Sequence, residues 1–222
     1  MVAQSDSSTQ LVYALKYRWL TAVYDPVVRI TTRESVFRRV LLDQAGIEAG
    51  HQVLDVGCGT GTLLRLVKQE IPGADPVGLD ADPDILGIAR RKADAAGLAL
   101  TLEQGISTSL PYADESFDRV LSSLFFHHLT PDDKLQTFRE IYRVLKPGGE
   151  LHIADWGRAQ NVVMRGLFAL VQLLDGFETT AENVAGRIPD IITQVRFTEV
   201  QERQRLSTIL GTLSLYSANK PN

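Results

Sequence analysis

The stretch VLDVGCGTGTLLRLV, Val53 to Val67, constrains this chain more than any other. An apolar run ends at Gly57, glycines recur at Gly59 and Gly61, and a helix-period pattern begins at once. Glycines in such a loop let a backbone approach a ligand closely. The order strand, glycine loop, helix is also the opening unit of an open α/β sheet.

The middle of the chain repeats that alternation. HQVLDVG reads as a buried strand, and Leu63, Leu66, Val67 and Ile71 share one face of the helix after it. DPVGLDA is a second strand, stopped by Asp82-Pro83, where Asp caps a helix and Pro suits its first turn. Ile85, Ile88, Ala89, Ala93 and Ala96 form the core stripe of that helix. LALTLEQ is a third strand, and SFDRVLSSLFF contains a fourth. Thr130-Pro131-Asp132-Asp133 starts the next helix with a capping hydroxyl, a proline and acids at the positive end of the dipole. Leu135, Phe138, Tyr142 and Leu145 make its buried stripe, KPGG (Lys146 to Gly149) ends it in a turn, and ELHIAD is a fifth strand. The alternation predicts a doubly wound α/β fold, with parallel strands, right-handed crossovers and helices on both faces.

Both ends depart from this rhythm. Residues from about 5 to 48 read as helical, 50–157 carry the alternation, and 158–196 form a variable segment. FTEVQERQRL and GTLSLYSA, within about 197–218, are separated by little more than Gly211 and should pair as an antiparallel hairpin. At 222 residues the whole fits a single domain. A net charge of −4 argues against nucleic acid or an anionic membrane surface as partner. Arg38-Arg39 and Arg90-Arg91-Lys92 fall in helical patterns and read as solvated faces. The single cysteine, Cys58, excludes an internal disulfide. No apolar run approaches the ~20 residues of a membrane span, and MVAQSDSSTQ has neither the basic start nor the apolar core of a signal peptide. The expectation is a cytoplasmic monomer or homodimer acting on a small molecule.

In such a fold the ligand sits beyond the carboxyl ends of the strands, at the glycine loop. A dinucleotide fingerprint needs a third glycine where this chain has Thr62. Asp55 precedes the first glycine by two residues, a poor place for a phosphate neighbour and a good one to meet a cation. Asp80, at the end of the second strand, is where a carboxylate accepts from ribose hydroxyls. A ligand with a ribose, a positive centre and no phosphate satisfies all three observations, and S-adenosylmethionine is such a ligand.

At this point the chain resembles the class I S-adenosylmethionine-dependent methyltransferases of the small-molecule type, the methyltransferase-11 and ubiquinone/menaquinone-biosynthesis groups. VLDVGCGTG, VGLDADP, LPYADESFDRV, SSLFFHHL and VLKPGGELHIAD match that family's motifs in order, across about residues 50 to 157. The resemblance implies a Rossmann-like seven-stranded sheet in the order 3-2-1-4-5-7-6, strand seven antiparallel, with the N-terminal helical segment as a lid. It puts Gly57, Cys58, Gly59 and Gly61 under the cofactor, Asp55 near its amino-acid end, Asp80 and Ala81 at the ribose, and Ser123 and Leu124 beside the methionine portion. Where the family has Gly-Asp-Ala after strand three, with Asp accepting from the adenine amino group, this chain has Gly105-Ile106-Ser107. The adenine is then left to backbone groups near Ile106 and Ser107, or to the Ser107 hydroxyl.

Methyl transfer from a sulfonium needs alignment and exclusion of water, and a general base only if the acceptor loses a proton. His127 and His128 are the titratable candidates for that base, with Asp155 to orient one of them; the alternative is that both are structural. Adjacent histidines point apart and no Cys or Glu set accompanies them, so no metal is expected. The acceptor site should come from the N-terminal and variable segments. Tyr17, Tyr24 and Trp156 are the substrate-contact candidates, with Trp19 beside the first two, and helix packing is the other reading of these aromatics. VVMRGLFALVQLLDG is apolar nearly all round, with Arg165 and Gln172 on one narrow stripe, and core packing is its default. A non-catalytic cofactor-binding regulatory or partner subunit remains the alternative to an enzyme. A nucleic-acid methyltransferase is disfavoured by the acidic charge and by the lack of an Asn/Asp-Pro-Pro-Tyr motif.

Overall fold

The computed structural model describes residues 34–222, apart from the side chains of Leu170, Leu174 and Asp175. Tyr17, Trp19, Tyr24 and the rest of the segment before Glu34 lie outside the described residues. Helix α1 (Glu34–Ala45) leads into β1 (Gln52–Val56), α2 (Thr62–Glu70), β2 (Asp75–Asp80), α3 (Pro83–Ala95), β3 (Thr101–Gln104) and β4 (Phe117–Ser123). A single 3-10 turn, Phe126–His128, precedes α4 (Pro131–Val144) and β5 (Leu145–Trp156). Three helices follow, α5 (Val162–Asp175), α6 (Phe177–Ala185) and α7 (Ile188–Gln194), then β6 (Thr198–Thr208) and β7 (Gly211–Asn219).

The strands form one sheet in the order β3-β2-β1-β4-β5-β7-β6. β1 lies parallel between β2 and β4, with Leu54 opposite Val77 and Val120. β7 runs antiparallel to both β5 and β6, Ile153 facing Tyr216 and Arg205 facing Ser214. Four of the five β1 residues are buried, as a central parallel strand covered on both faces requires. Phe37 and Leu41 of α1, Leu63 and Val67 of α2, and Phe168 and Val171 of α5 pack in one layer. Phe138, Ile141 and Val144 of α4 join Ile188 and Ile192 of α7 in the other.

The local start signals act as their chemistry dictates. Asp82 accepts from the Asp84 and Ile85 amides at the start of α3, and Thr130 accepts from Asp133 N at the start of α4. The helix phases differ from the sequence reading. In α3 the buried residues are Leu86, Ala89 and Ala93, while Ala96 is exposed and lies past the helix. In α4 they include Ile141 and Val144, with Leu135 and Tyr142 only partly buried. Lys134 also enters that buried stripe, because its ammonium donates to the Thr179 carbonyl at 2.5 Å and faces Glu182 at 3.5 Å. KPGG is not a turn between helix and strand. β5 already begins at Leu145, opposite Phe117, and the register resumes at Glu150, opposite Arg119, so the glycines form an irregularity within the strand.

Phe126 and Phe138 are fully buried and stacked, with ring centroids 4.4 Å apart, joining the turn after β4 to α4. Phe138→Ala should therefore lower the unfolding free energy by about 3–5 kcal/mol. Urea denaturation followed by circular dichroism measures this, and a loss under about 1 kcal/mol would mean that the layer repacks around the gap.

Candidate active site

The glycine loop is built onto the end of β2. The amides of Gly57 and Cys58 both donate to the Leu79 carbonyl, at 2.9 and 3.0 Å, and Gly59 N donates to Asp80 Oδ2 at 2.9 Å. Asp80 Oδ1 accepts from Asp82 N at 3.0 Å. Gly57 has φ +70°, and a Cβ there would collide with the Phe125 ring. Gly59 has φ +54° with nothing within 4 Å of a Cβ position, so a side chain would project into open space at the loop. Burial raises the Asp80 pKa above the usual carboxylate range, opposed by these two amides. Cys58 is 5% exposed, and burial together with the Asp55 and Asp80 carboxylates pushes its thiol well up, so it packs rather than reacts.

Asp55 is buried, and neither of its carboxylate oxygens has a hydrogen-bond partner among the described residues. Burial raises its pKa to about 7, with Arg38 pulling down and Asp80 adding a smaller upward push. Arg38 comes from α1. Its Nη1 donates to Ser123 Oγ at 3.3 Å and its Nη2 pairs with Glu34 at 2.7 Å, while Nε is buried without a partner. The sequence reading placed Arg38 on a solvated face; the structure turns it inward against the ends of β1 and β4. No local pattern signals this, because the contact to Ser123 joins residues 85 apart in sequence. An unpartnered carboxylate beside a partly engaged guanidinium matches the ammonium and carboxylate of an α-amino acid.

On the other side of β1, Asp155 closes the ends of β4 and β5. It accepts from the amides of Phe125, His127 and Trp156 at 3.2, 3.3 and 2.7 Å, and meets His127 Nδ1 at 2.7 Å. Burial works against its charge, but His127 and the Trp156 amide outweigh it and lower its pKa. The partly buried His128 ring stacks obliquely on His127, with centroids 3.9 Å apart, and desolvation and that neighbour push its pKa down to about 3. Leu124, between β4 and these histidines, has φ +53°, an uncommon conformation for a leucine, and donates to the Ala154 carbonyl at 2.8 Å.

Other sequence candidates take different places. Trp156 is 3% exposed and packs on Phe168 with centroids 5.3 Å apart, so it belongs to the core. Ser107 Oγ is 2.8 Å from Thr137 Oγ1 in a buried pair, which commits the hydroxyl to α4. Ile106 is 46% exposed beside it. Ala81 is partly buried, and its carbonyl accepts from Gln104 Nε2 at 3.3 Å. Arg165 and Gln172 do share a stripe of α5, bonded at 2.8 Å, but Gln172 is buried against Thr180. Instead Val162, Val163, Leu167 and Leu173 of α5, with Phe177 of α6, are exposed. Among the described residues no three His, Cys, Asp or Glu side chains converge on a metal position, and no helix is long and apolar enough to cross a membrane.

Sheet order, glycine loop and strand-end carboxylates define a doubly wound nucleoside-binding protein, and the open space at Gly59 with the unpartnered Asp55 fits a ligand carrying a cation. The methyltransferase domain family matches residues 53–149. An uncharacterized methyltransferase of Synechocystis sp. is 30% identical over 191 residues, 86% of this chain and 87% of its own length. The demethylmenaquinone methyltransferase of Thermus thermophilus is 38% identical over 120 residues, 54% of each chain, so this protein spans about half the length of that relative. A Haloferax volcanii structure, of the Trm112 methyltransferase activator with a methyltransferase, superposes with a TM-score of 0.71 at 24% identity, covering 92% of this chain and 96% of the other. This chain belongs to the class I S-adenosylmethionine-dependent methyltransferases, related to the menaquinone-biosynthesis enzymes.

The Asp55 pKa is raised on folding, so between its unfolded value and about 7 the folded state holds the extra proton. Stability of the ligand-free protein therefore falls as pH rises through that window. Asp55→Asn mimics the protonated form. It should be the more stable protein by a margin that grows from pH 5 to pH 8, in urea titrations at both values. Equal stability at pH 8 would show that Asp55 ionises without penalty.

Proposed function

We propose that this chain transfers a methyl group from S-adenosylmethionine to a small, apolar metabolite. The observation that carries this reading is Asp55, whose buried carboxylate, beside the glycine loop and within the field of Arg38, has no hydrogen-bond partner among the described residues. A buried polar group left unpaired is costly unless a ligand completes it. Asp80 anchors the ribose, Asp55 and Arg38 take the amino-acid end, and Ser123 and Leu124 border the methionine portion. The apolar residues exposed on α5 and α6, the helices that follow the site end of β5, support an apolar acceptor. The relatives named for demethylmenaquinone support a small molecule over a macromolecule.

S-adenosylmethionine supplies the methyl group as a sulfonium, whose C–S bond breaks with its electron pair going to sulfur as the acceptor attacks. The chain's own task is alignment and, for an acceptor that must lose a proton, its removal. Of the two histidines His127 is the one oriented for that role, since the Asp155 carboxylate meets its Nδ1 at 2.7 Å. His128 does not suit it, since a ring whose pKa is about 3 is a weak base. Labelled S-adenosylmethionine incubated with the protein and a metabolite extract tests the function. Label in an extractable metabolite supports the enzyme, and cofactor binding with no transfer supports a regulatory subunit.

Asp80→Ala removes hydrogen bonds to a charged acceptor, each worth about 1.5–3 kcal/mol. Affinity for S-adenosylhomocysteine should fall roughly 10- to 150-fold by calorimetry, and an unchanged value would put the ribose elsewhere. His127→Gln should lower single-turnover methyl transfer by roughly 10²- to 10⁴-fold with little change in that affinity. His128→Gln should stay within a few-fold of the parent. Equal, small effects of both substitutions would make the histidine pair structural.

A further inference from the structure

The strand ends set an axis for the cofactor. Arg38 and Ser123 lie at the β4 side, Asp55 at the end of β1 and Asp80 at the end of β2, and the next strand outward is β3. Neighbouring strands are about 4.8 Å apart. A ligand with its amino-acid end at Asp55 and its ribose at Asp80 therefore continues over the end of β3. Gly105 N donates to the Asp80 carbonyl at 3.0 Å, which fixes the residue after it, Ile106, beside the ribose anchor. That side chain is 46% exposed, an apolar surface at the end of β3.

Two of the polar side chains around it are engaged within the fold. Ser107 is paired with Thr137, and Asp82 Oδ1 accepts from two amides of α3. Gln104 turns its amide nitrogen to the Ala81 carbonyl. Ile106 itself, the residue that follows Gly105 after β3, offers no side-chain acceptor to a donor on the purine edge.

We infer that Ile106 makes the base subsite an apolar shelf, so that this protein holds the purine ring without reading its 6-amino group and accepts cofactors altered at that position. The inference rests on Asp80 holding the ribose. Its physical basis is an asymmetry in recognition. A site built to hydrogen-bond a substrate group rejects the analogue lacking it strongly, whereas an apolar surface has nothing left unpaired when the group is removed.

The probes are S-adenosylhomocysteine and its 6-deamino analogue, with purine in place of adenine, titrated calorimetrically into the full chain. The analogue should bind less than about 10-fold more weakly, below the roughly 10- to 150-fold that a hydrogen bond to a charged group commands. Ile106→Asp installs an acceptor, and the ratio of the two dissociation constants should then widen about 10-fold or more. Ile106→Ala should weaken both ligands by the same factor and leave the ratio unchanged. A ratio of 10-fold or more in the unmodified protein overturns the inference and points to an acceptor such as the Gln104 amide oxygen. A ratio unmoved by Ile106→Asp overturns it too, by placing the base away from residue 106. Loss of binding of both nucleosides to the unmodified protein would instead remove the cofactor reading on which the inference stands.

Discussion

The ligand-binding end of the sheet depends on how one carboxylate is held. Asp80 joins the amide of Gly59, in the loop after β1, to the amide of Asp82, which in turn caps α3. Two loops and a helix start thus share a single anchor at the end of β2. Burial disfavours its charge, and the two amides aimed at its oxygens oppose that effect. Asp155 does the same work on the far side of β1, where it gathers three amides and a histidine at the ends of β4 and β5. The two anchors bracket the strand that carries Asp55.

These three acids differ in how far the fold itself satisfies them. Asp80 and Asp155 have the partners a buried carboxylate needs, so the fold accounts for them. Asp55 has none among the described residues, and folding alone gives no return for burying it. Local rules broken without compensation tend to mark the places where a protein meets its ligand. Leu124 fits the same pattern, since its left-handed backbone lies between β4 and the histidine turn.

Much of this was legible in the sequence, for a reason that also explains what was not. The glycine loop, the Asp82-Pro83 and Thr130-Pro131 helix starts and the strand-ending acids are local signals, and each depends on residues within a few positions. The sheet order came through resemblance, since five ordered motifs carry topology that periodicity alone does not. Helix phase was harder, because in α4 a lysine occupies a buried position by reaching a carbonyl 45 residues away. Trp156 read as a site residue because β5 is buried on both faces at that end, and alternation says nothing of which neighbour fills the space. Arg38 was missed outright. Its charge looked like surface, and only the tertiary fold brings it to Ser123.

The position of β7 has a consequence for how the chain assembles. Among the described residues β6 pairs only with β7, and β7 connects it to β5. A strand emerging from the ribosome as β6 finds no place in the growing sheet until the following segment has also emerged. The edge of β5 stays open meanwhile, an unpaired template of the kind that recruits other chains. Vectorial synthesis therefore presents the hairpin as a preformed unit to a five-stranded platform.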